Sequence, residues 1–262
     1  MAKAYERIAD ELRQSIRTGR LRPGDRLPAE TRLAEQAGRS VPTVRDALRL
    51  LQAEGLIEKV HGRGNFVRRA RTPVRRSNSR HQWEKDRARQ SMEQRLRTGA
   101  TEHDTGLAVD DLVFHAAYRE TTADADIAEA MGVAEGTELI ERSYRTRYRA
   151  ERAPFNLVTS HLVRELVAGN PDLLDESKEP WPGGTWNQLA TVGIEIVRVE
   201  ERITARPPTA EEAEELDLPP GTAVVDLRKT SFDTADRAVE MSYITLPGDR
   251  TEMFFTTHLE RW

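Results

Sequence analysis

The 262-residue sequence contains no cysteine, few aromatic side chains (6%) and no long apolar run. Without cysteine, the chain has no disulfides, thiolate metal sites or cysteine nucleophiles, so its fold must be held by its own core. No stretch approaches the roughly 18 consecutive apolar residues of a membrane span. The N-terminus is charged and helical in pattern, unlike a signal peptide. These absences predict a cytoplasmic protein with no membrane partner.

Charge is abundant and unevenly distributed along the chain. Basic residues exceed acidic ones by six over residues 1–70 and by six again over residues 71–97, whereas residues 98–262 carry a net charge of −16. A basic N-terminal part followed by an acidic C-terminal part suits a protein that approaches DNA phosphates with its N-terminal part alone. Attraction between cations and phosphates supplies most sequence-independent DNA affinity. A solvated surface with an accidental gradient would give the same counts.

The length suffices for two ordinary domains, and the patterns suggest where they divide. Residues 1–70 hold helical and hairpin patterns. Residues 71–100 are rich in charge and poor in aliphatic side chains, which is typical of a linker, with a helical pattern near Trp83–Leu96. Residues 101–262 alternate strand-like segments with short helices, which predicts an α+β domain on an antiparallel sheet. Those helices are predicted near 123–131, 162–168, 185–192 and 209–216.

The N-terminal region shows the spacing of three consecutive helices. Apolar residues recur at helical spacing from Tyr5 to Ile16, and a second, shorter helix is predicted from Glu30 onwards. Ser40 is a suitable N-cap for a third helix, because its hydroxyl can accept from the Thr43 amide. The apolar residues of the third helix fall on one face, which must pack inward and leaves the opposite face to solvent.

Two arginines one turn apart, Arg45 and Arg49, project from that outward face. The sequence HGRGN then separates Leu56–Val60 from Phe66–Arg68, which predicts a β-hairpin. Helix, turn, helix and hairpin occur in the order of a winged helix-turn-helix, in which a recognition helix enters the major groove beside the wing. A solvated helix face and a tight glycine turn are the structural alternatives for these features.

The segment LPAETRLAEQAGRSVPTVRDALRLLQAEGLIEKVHGRGNFV resembles the winged helix-turn-helix of the GntR family of bacterial repressors, and the resemblance covers nearly all of residues 5–68. It implies double-stranded DNA as a partner. It places Ser40, Thr43 and Arg45 at positions that contact DNA, and His61-Gly62 at the wing tip in the minor groove. The predicted DNA-binding residues are Arg32, Arg39, Ser40, Pro42, Thr43, Arg45, Arg49, His61, Gly62 and Arg63.

At two places in the predicted DNA-binding region, this sequence differs from the family pattern at residues that would influence which DNA sequence the protein binds. Thr31 stands where many members have an arginine, with Arg32 displaced by one, and Val41-Pro42 replace a more polar pair. The preferred base sequence is therefore left open.

The second half resembles the UTRA ligand-binding domain of the HutC-type members of the same family. The resemblance rests on DLVFHAAYRE, GVAEGTELIERSYRTR, ITARPPTAEEAEEL and RAVEMSY, which occur in that order. This domain is similar in fold to chorismate lyase, yet the family uses it to bind small effectors rather than to catalyse. The resemblance implies an α+β protein with an N-terminal winged helix-turn-helix and a chorismate-lyase-like antiparallel sheet domain carrying short helices.

Guanidinium and hydroxyl groups on the predicted strands suit an anionic or polyhydroxylated small-molecule effector. The predicted effector-binding residues are Arg145, Arg147, Ser160, Glu240 and Tyr243. An alternative is that the arginines merely balance the 32 acidic residues of the domain. Where the family has S-x-L-P, this chain has Ser160-His161-Leu162-Val163, so we expect its pocket to differ.

Catalysis is the competing class of function. None of the six histidines forms an HxxxH or HxH pair, and no nucleophile elbow, P-loop or dinucleotide fingerprint occurs. No catalytic residue, metal site or cofactor is therefore predicted.

We expect a homodimer that is joined through its C-terminal domains and represses transcription from a palindromic operator. It is expected to associate with the nucleoid when bound and to respond to an effector.

Two alternatives stay open at this point. One is a constitutive DNA-binding repressor, for example of conjugative-transfer genes, whose C-terminal domain only dimerises. The other is a chorismate-lyase-like enzyme that carries a DNA-binding domain.

Overall fold

The computed structural model describes residues 3–69 and 71–260, which divide into two units. The first unit combines the chain up to Arg71 with Pro207–Ala223, and the second combines Thr72–Arg206 with the chain from Val224 onwards. The first unit is therefore built from two separate parts of the sequence.

The first unit opens with three helices and a hairpin in the predicted order. They are α1 (Ala4–Arg17), α2 (Glu30–Ala37), α3 (Val41–Ala53), β1 (Ile57–Val60) and β2 (Gly64–Val67). Gly38 ends α2 in the left-handed conformation, with φ of 57°, which glycine adopts without strain. β1 and β2 pair antiparallel, and Arg26 forms a single bridge to Phe66.

The core of the first unit forms where the apolar faces of the three helices meet the hairpin. The inward face of α3 is buried at Val44, Ala47, Leu48 and Leu51. It packs against Ile8, Ala9, Leu12, Leu27, Leu33, Ala34, Ile57 and Val67. Because this one face of α3 is committed to the core, the opposite face is held outward, as the helical spacing predicts.

The second unit contains most of the remaining elements. In chain order they are β3 (Val74–Ser77), α4 (Arg80–Ala88), α5 (Met92–Leu96), α6 (Ala100–Thr105), β4 (Leu112–Thr122), α7 (Ala125–Met131), β5 (Glu138–Tyr148), β6 (Leu157–Val163), α8 (Arg164–Val167), α9 (Gly184–Ala190) and β7 (Ile196–Arg206). The chain then contributes α10 (Ala210–Glu215) to the first unit. It returns with β8 (Val224–Asp233), β9 (Ala238–Pro247) and β10 (Thr251–Phe254).

Six strands form one antiparallel sheet in the order β4-β5-β6-β9-β8-β7. α4 and α9 supply Ala88, Trp186 and Leu189 to the apolar cluster on one face. α7 supplies Ile127 and Met131 to a cluster on the other. The predicted α+β class, with a winged helix-turn-helix and an antiparallel sheet carrying short helices, is confirmed. None of the helices in the described ranges is long and apolar enough to cross a bilayer.

Residues 71–100 were expected to be a linker, but from Thr72 onwards they belong to the second unit and contribute β3, α4, α5 and the start of α6. β3 pairs in parallel with β10, with Val74 opposite Thr251, and Arg76 of β3 is buried. The two strands come from distant parts of the sequence, so neither composition nor local periodicity indicates the pairing.

Pro207–Ala223 leaves the sheet between β7 and β8 and packs within the first unit. Arg68 Nη2 donates to the carbonyl oxygen of Asp217 at 3.0 Å. Gly221, with φ of +81°, approaches the end of α3 so closely that an added Cβ would lie 3.0 Å from the Ala53 carbonyl oxygen. The first unit therefore includes residues far along the chain, which contact Arg68 and the end of α3.

Candidate DNA-binding surface and candidate effector site

The outward face of α3 presents Arg45 and Arg49, whose side chains are 56% and 72% exposed. Arg45 Nε donates to Glu30 Oε2 at 2.7 Å, and Arg49 Nη1 donates to Asp46 Oδ1 at 2.7 Å. Exposed ion pairs of this kind contribute about 0–1 kcal/mol. Both guanidinium groups can therefore exchange these partners for phosphates or guanine edges at little cost.

The start of α3 offers hydroxyl and backbone groups beside those arginines. Ser40 Oγ accepts from the Thr43 backbone N–H at 3.4 Å and lies 2.9 Å from Thr43 Oγ1. Pro42 is exposed in the first turn. Arg32 of α2 and Arg39 in the turn before α3 are exposed as well. A helix N-terminus flanked by cations suits a phosphate group.

The wing tip is an exposed turn of three residues, His61, Gly62 and Arg63. Its backbone is closed by the Arg63 N–H, which donates to the Val60 carbonyl at 3.0 Å. Gly62 has φ of +71° with no atom within 4 Å of an added Cβ, so the turn favours glycine for its conformation rather than for lack of space. The Arg63 guanidinium lies 5.6 Å from the ring centre of Phe66.

A groove between α3 and the hairpin adds a residue that the sequence patterns did not identify. Lys59 of β1 is exposed and lines this groove together with Arg45 and Arg49. Across the groove, Gln52 Nε2 donates to Asn65 Oδ1 at 3.0 Å. A cation on the first hairpin strand, next to the recognition helix, is the signal that could have indicated it.

We expect Ser40→Ala to lower the free energy of unfolding by about 1 kcal/mol, because α3 loses its N-cap, whereas Ser40→Gly should lose only a few tenths. Denaturant unfolding of the full chain measures both. If the Ser40 hydroxyl also contacts DNA, the two variants should lose operator affinity equally, since both lack it. If operator affinity instead falls in Ser40→Ala and hardly changes in Ser40→Gly, the loss of affinity parallels the loss of stability, and Ser40 acts only as a helix cap.

The structure does not bring the five predicted effector residues together. Paired residues of antiparallel strands share a face, and the register places Ser160 and Glu240 on one face of the sheet. Arg145, Arg147 and Tyr243 belong to the opposite face. Their environments differ accordingly, since Arg145 Nη1 donates to the Val158 carbonyl at 3.2 Å. Arg147 Nη1 donates to the Glu151 carbonyl at 3.1 Å.

Arg142, which was not among the predicted residues, stands at the centre of the first face. Its side chain is fully buried, and its register partner on β6 is Ser160. Nη1 donates to Gln188 Oε1 at 2.8 Å. Nη2 donates to Ser160 Oγ at 3.1 Å and to Thr185 Oγ1 at 3.2 Å. The same Nη2 lies 3.6 Å from Glu240 Oε1. Arg142 therefore joins β5, β6, β9 and α9 in one polar cluster.

Glu240 is the buried acid of this cluster. Its carboxylate accepts from three serine hydroxyls, at 2.9, 3.1 and 3.3 Å, belonging to Ser160, Ser231 and Ser242. Lys229 Nζ lies 3.0 Å from Oε2. Burial disfavours the charged form, but Lys229 and then Arg142 outweigh it and lower the pKa of Glu240 to about 2. Glu240 is consequently a fixed negative charge.

A second acid, the half-buried Glu201 of β7, extends the charges towards β3. It sits opposite Lys229 in the sheet, and Arg76 Nη2 of β3 lies 3.3 Å from its Oε1. His81 Nε2 of α4 lies 3.2 Å from its Oε2. Burial raises the pKa of Glu201, but His81, Arg76 and Lys229 together lower it to about 2. A line of alternating charges thus runs from Arg142 to β3, the first strand after the winged helix-turn-helix.

The outer side of Arg142 carries two phenols and a carboxylate. The rings of Tyr118 and Tyr144 have their centres 5.9 and 5.6 Å from the guanidinium carbon. Tyr118 Oη donates to Glu179 Oε1 at 2.5 Å, and Tyr144 Oη donates to the same oxygen at 3.1 Å. Within the described ranges, no group of three or more acidic or histidine side chains is placed to hold a metal ion.

Two family models match the chain, one for each part. Residues 4–67 match the model for bacterial regulatory proteins of the gntR family, and residues 115–252 match the UTRA domain.

Full-length relatives agree with this assignment. An HTH-type transcriptional regulator of Rhizobium meliloti is 32% identical over 257 residues, which cover 97% of this chain and 94% of the relative. The HTH-type transcriptional repressor NagR of Bacillus subtilis is 28% identical over 251 residues, covering 94% and 91%. A GntR-family transcriptional regulator of known crystal structure superposes with a TM-score of 0.62 at 25% identity, covering 98% of each chain.

These matches confirm the predicted family and class of function. The relatives are transcriptional regulators, a class without catalytic activity, so the enzymatic alternative is excluded. The chain belongs to the GntR family of bacterial transcriptional regulators, in the HutC branch that joins a DNA-binding winged helix-turn-helix to a UTRA effector-binding domain.

Proposed function

We propose that the chain represses transcription by reading its operator with α3 and the β1–β2 wing. The observation that carries this proposal is the outward face of α3, where Arg45 and Arg49 are exposed and, among the described residues, are held by surface ion pairs alone. Lys59 and the wing tip flank this face. Contacts from the arginines to base edges would supply specificity, and contacts to phosphates would supply position.

The effector site in this proposal is the cluster around Arg142, Ser160 and Glu240. A buried guanidinium aligned by hydroxyl and amide groups suits an anionic small molecule. Arg142 Nε is buried and has no hydrogen-bond partner among the described residues, so the cluster retains a donor for a ligand. Effector binding would shift an equilibrium between two states that differ in operator affinity.

The working unit in this proposal is a homodimer on a palindromic operator, in the bacterial cytoplasm at the nucleoid. One winged helix-turn-helix reaches few base pairs, and two linked copies multiply the contacts and fix the spacing of the half-sites. The exposed apolar side chains of the second unit, which include Val197 and Ile203 on the edge strand β7, favour self-association through that unit.

Genomic fragments retained by the full-length protein should reveal the operator and the genes beside it. We expect a footprint with two-fold symmetry, bound by a protein of twice the monomer mass in sedimentation, and an affinity that falls steeply with salt. An asymmetric footprint bound by a monomer would contradict the dimer.

A thermal-shift screen against a panel of anionic metabolites tests the effector site, because a compound that binds the folded protein raises its thermal midpoint. Each compound that does so is then added to an operator titration. Compounds that bind without changing operator affinity would favour the constitutive repressor.

A further inference from the structure

We propose that Glu179 is an internal ligand of the Arg142 cluster, and that its carboxylate holds the place of a carboxylate on the effector. The effector would displace Glu179 and, with it, the turn segment formed by residues 175–180. This inference rests on the proposed effector site and adds to it the ligand class and the competitor that the ligand must remove.

The Glu179 carboxylate is bound in the manner of a ligand, by donors from three separate elements. Tyr118 of β4, Tyr144 of β5 and Gln188 of α9 all donate to Oε1, at 2.5, 3.1 and 2.9 Å. The remaining oxygen, Oε2, accepts from the Trp181 backbone N–H at 2.6 Å. Burial raises the pKa of both phenols, so each keeps its proton near neutral pH and can donate.

The charges around the cluster define the kind of group that fits. Glu240 lies between Arg142 and Lys229, and Lys229 also faces Glu201 in the sheet. Glu179 lies close enough to Arg142 for their charges to interact, so it adds a second negative charge beside this guanidinium. A ligand carboxylate would restore the same balance and meet the same three donors, and the unpartnered Nε of Arg142 offers a further donor.

The part of the chain that carries Glu179 is held by few apolar contacts. Residues 175–178 and Pro180 are exposed, and Glu179 is half-buried. Trp181, just beyond it, is half-buried and packs against the apolar cluster that includes Trp186 and Leu189, so it anchors the far end. A stretch with as little buried apolar surface as residues 175–180 opens at low free-energy cost. The carboxylate is therefore a main attachment of residues 175–180, and a competing anion can release them.

Chemical rescue of Glu179→Ala in the full-length protein tests the inference. Removing the carboxylate should lower the thermal midpoint by several degrees and leave an anion site lined by Tyr118, Tyr144 and Gln188. Sodium acetate should then raise the midpoint in a saturable way, and sodium chloride of equal ionic strength should not. The wild-type protein should not respond, because its own carboxylate occupies the site. The matched control is Glu176→Ala, which removes a carboxylate of the same segment that accepts from the Tyr118 backbone N–H at 2.8 Å and should not respond to acetate.

Glu179→Gln provides a second test if the alanine variant folds poorly. The amide keeps the size of the side chain but competes less well with an added anion. Acetate should therefore change the tryptophan fluorescence of this variant, because Trp181 lies two residues after the displaced side chain. The fluorescence of the wild type should stay unchanged. Inorganic phosphate serves as the comparison, and a stronger response to phosphate than to acetate would overturn the carboxylate assignment.

Several outcomes separate this inference from the proposed function. If neither variant responds to acetate, or if chloride acts equally, Glu179 is not an internal ligand. If acetate rescues stability but no ligand changes operator affinity, the assignment of Glu179 as an internal ligand is supported, and the proposed control of operator binding by an effector is contradicted. Once an effector is known, Glu179→Ala should bind it at least tenfold more tightly than the wild type. Equal affinity would overturn the inference and leave effector control intact.

Discussion

Replacing Arg45 with alanine should weaken operator binding by roughly 10- to 100-fold, since a bidentate contact to a base edge contributes about 1–3 kcal/mol. The side chain is 56% exposed, and its one ion pair within the described part of the chain is with Glu30, so its loss should leave the fold of the first unit unchanged. Gel-shift titration at one fixed salt concentration measures the change, and thermal unfolding verifies that the first unit remains folded.

The salt dependence of binding separates the two roles that Arg45 could have. An arginine bound to a phosphate releases about one counterion, so its removal lowers the slope of log affinity against log salt by about one and weakens all DNA sequences alike. An arginine bound to a base leaves that slope nearly unchanged and relaxes specificity at one position. We expect the second pattern for Arg45.

The matched control is Arg17→Ala, which removes the same charge from an exposed position in the last turn of α1. It should cost only the small, sequence-independent attraction of one distant charge. If Arg17→Ala weakened the operator complex as much as Arg45→Ala, only net charge would matter, and α3 would not be the recognition helix.

The first unit could be predicted in detail because its signals are local. The Ser40 cap and the apolar spacing of α3 each act within a few residues. Together they determine which face of α3 points outward. The contribution of Pro207–Ala223 to this unit could not be predicted in the same way, since it depends on contacts with residues far away in the sequence.

The effector site could be predicted only in part, because it depends on strand register. Side chains alternate between the two faces of a sheet, so a choice between Arg142 and Arg145 selects a face. The sequence patterns located β5 but did not show which of its arginines shares a face with Ser160 and Glu240. That relation follows from pairing between strands that are distant in the sequence. Glu179 reaches the site from a turn segment without periodicity, so no pattern indicated it.

Replacing Glu240 with glutamine should destabilise the second unit by about 3–5 kcal/mol at pH 7, because removal of one partner leaves buried charges uncompensated. Arg142 and Lys229 would face a neutral amide in a site that is only 2% exposed. Denaturant unfolding of the full-length protein measures the loss. The control is Glu252→Gln, whose exposed pair with Arg75 should contribute no more than about 0.5 kcal/mol. An equal loss of unfolding free energy in the two variants would show that the buried Glu240 contributes no more to stability than an exposed carboxylate.

The pH dependence of the same variant gives a sharper test, and its sign follows from the direction of the pKa shift. The pKa of Glu240 is about 2 in the folded protein and about 4.3 in an unfolded chain. The folded state therefore favours the ionised form, which contributes roughly 3 kcal/mol above about pH 5 and loses this contribution as the pH falls towards 2. Glutamine does not titrate, so the stability difference between wild type and variant should be widest at pH 7 and should narrow through pH 5, 4 and 3. Glu201, whose pKa is also about 2, titrates in both proteins and largely cancels in the difference. A difference that stayed constant from pH 7 to pH 3 would mean that the folded protein does not hold Glu240 as an anion.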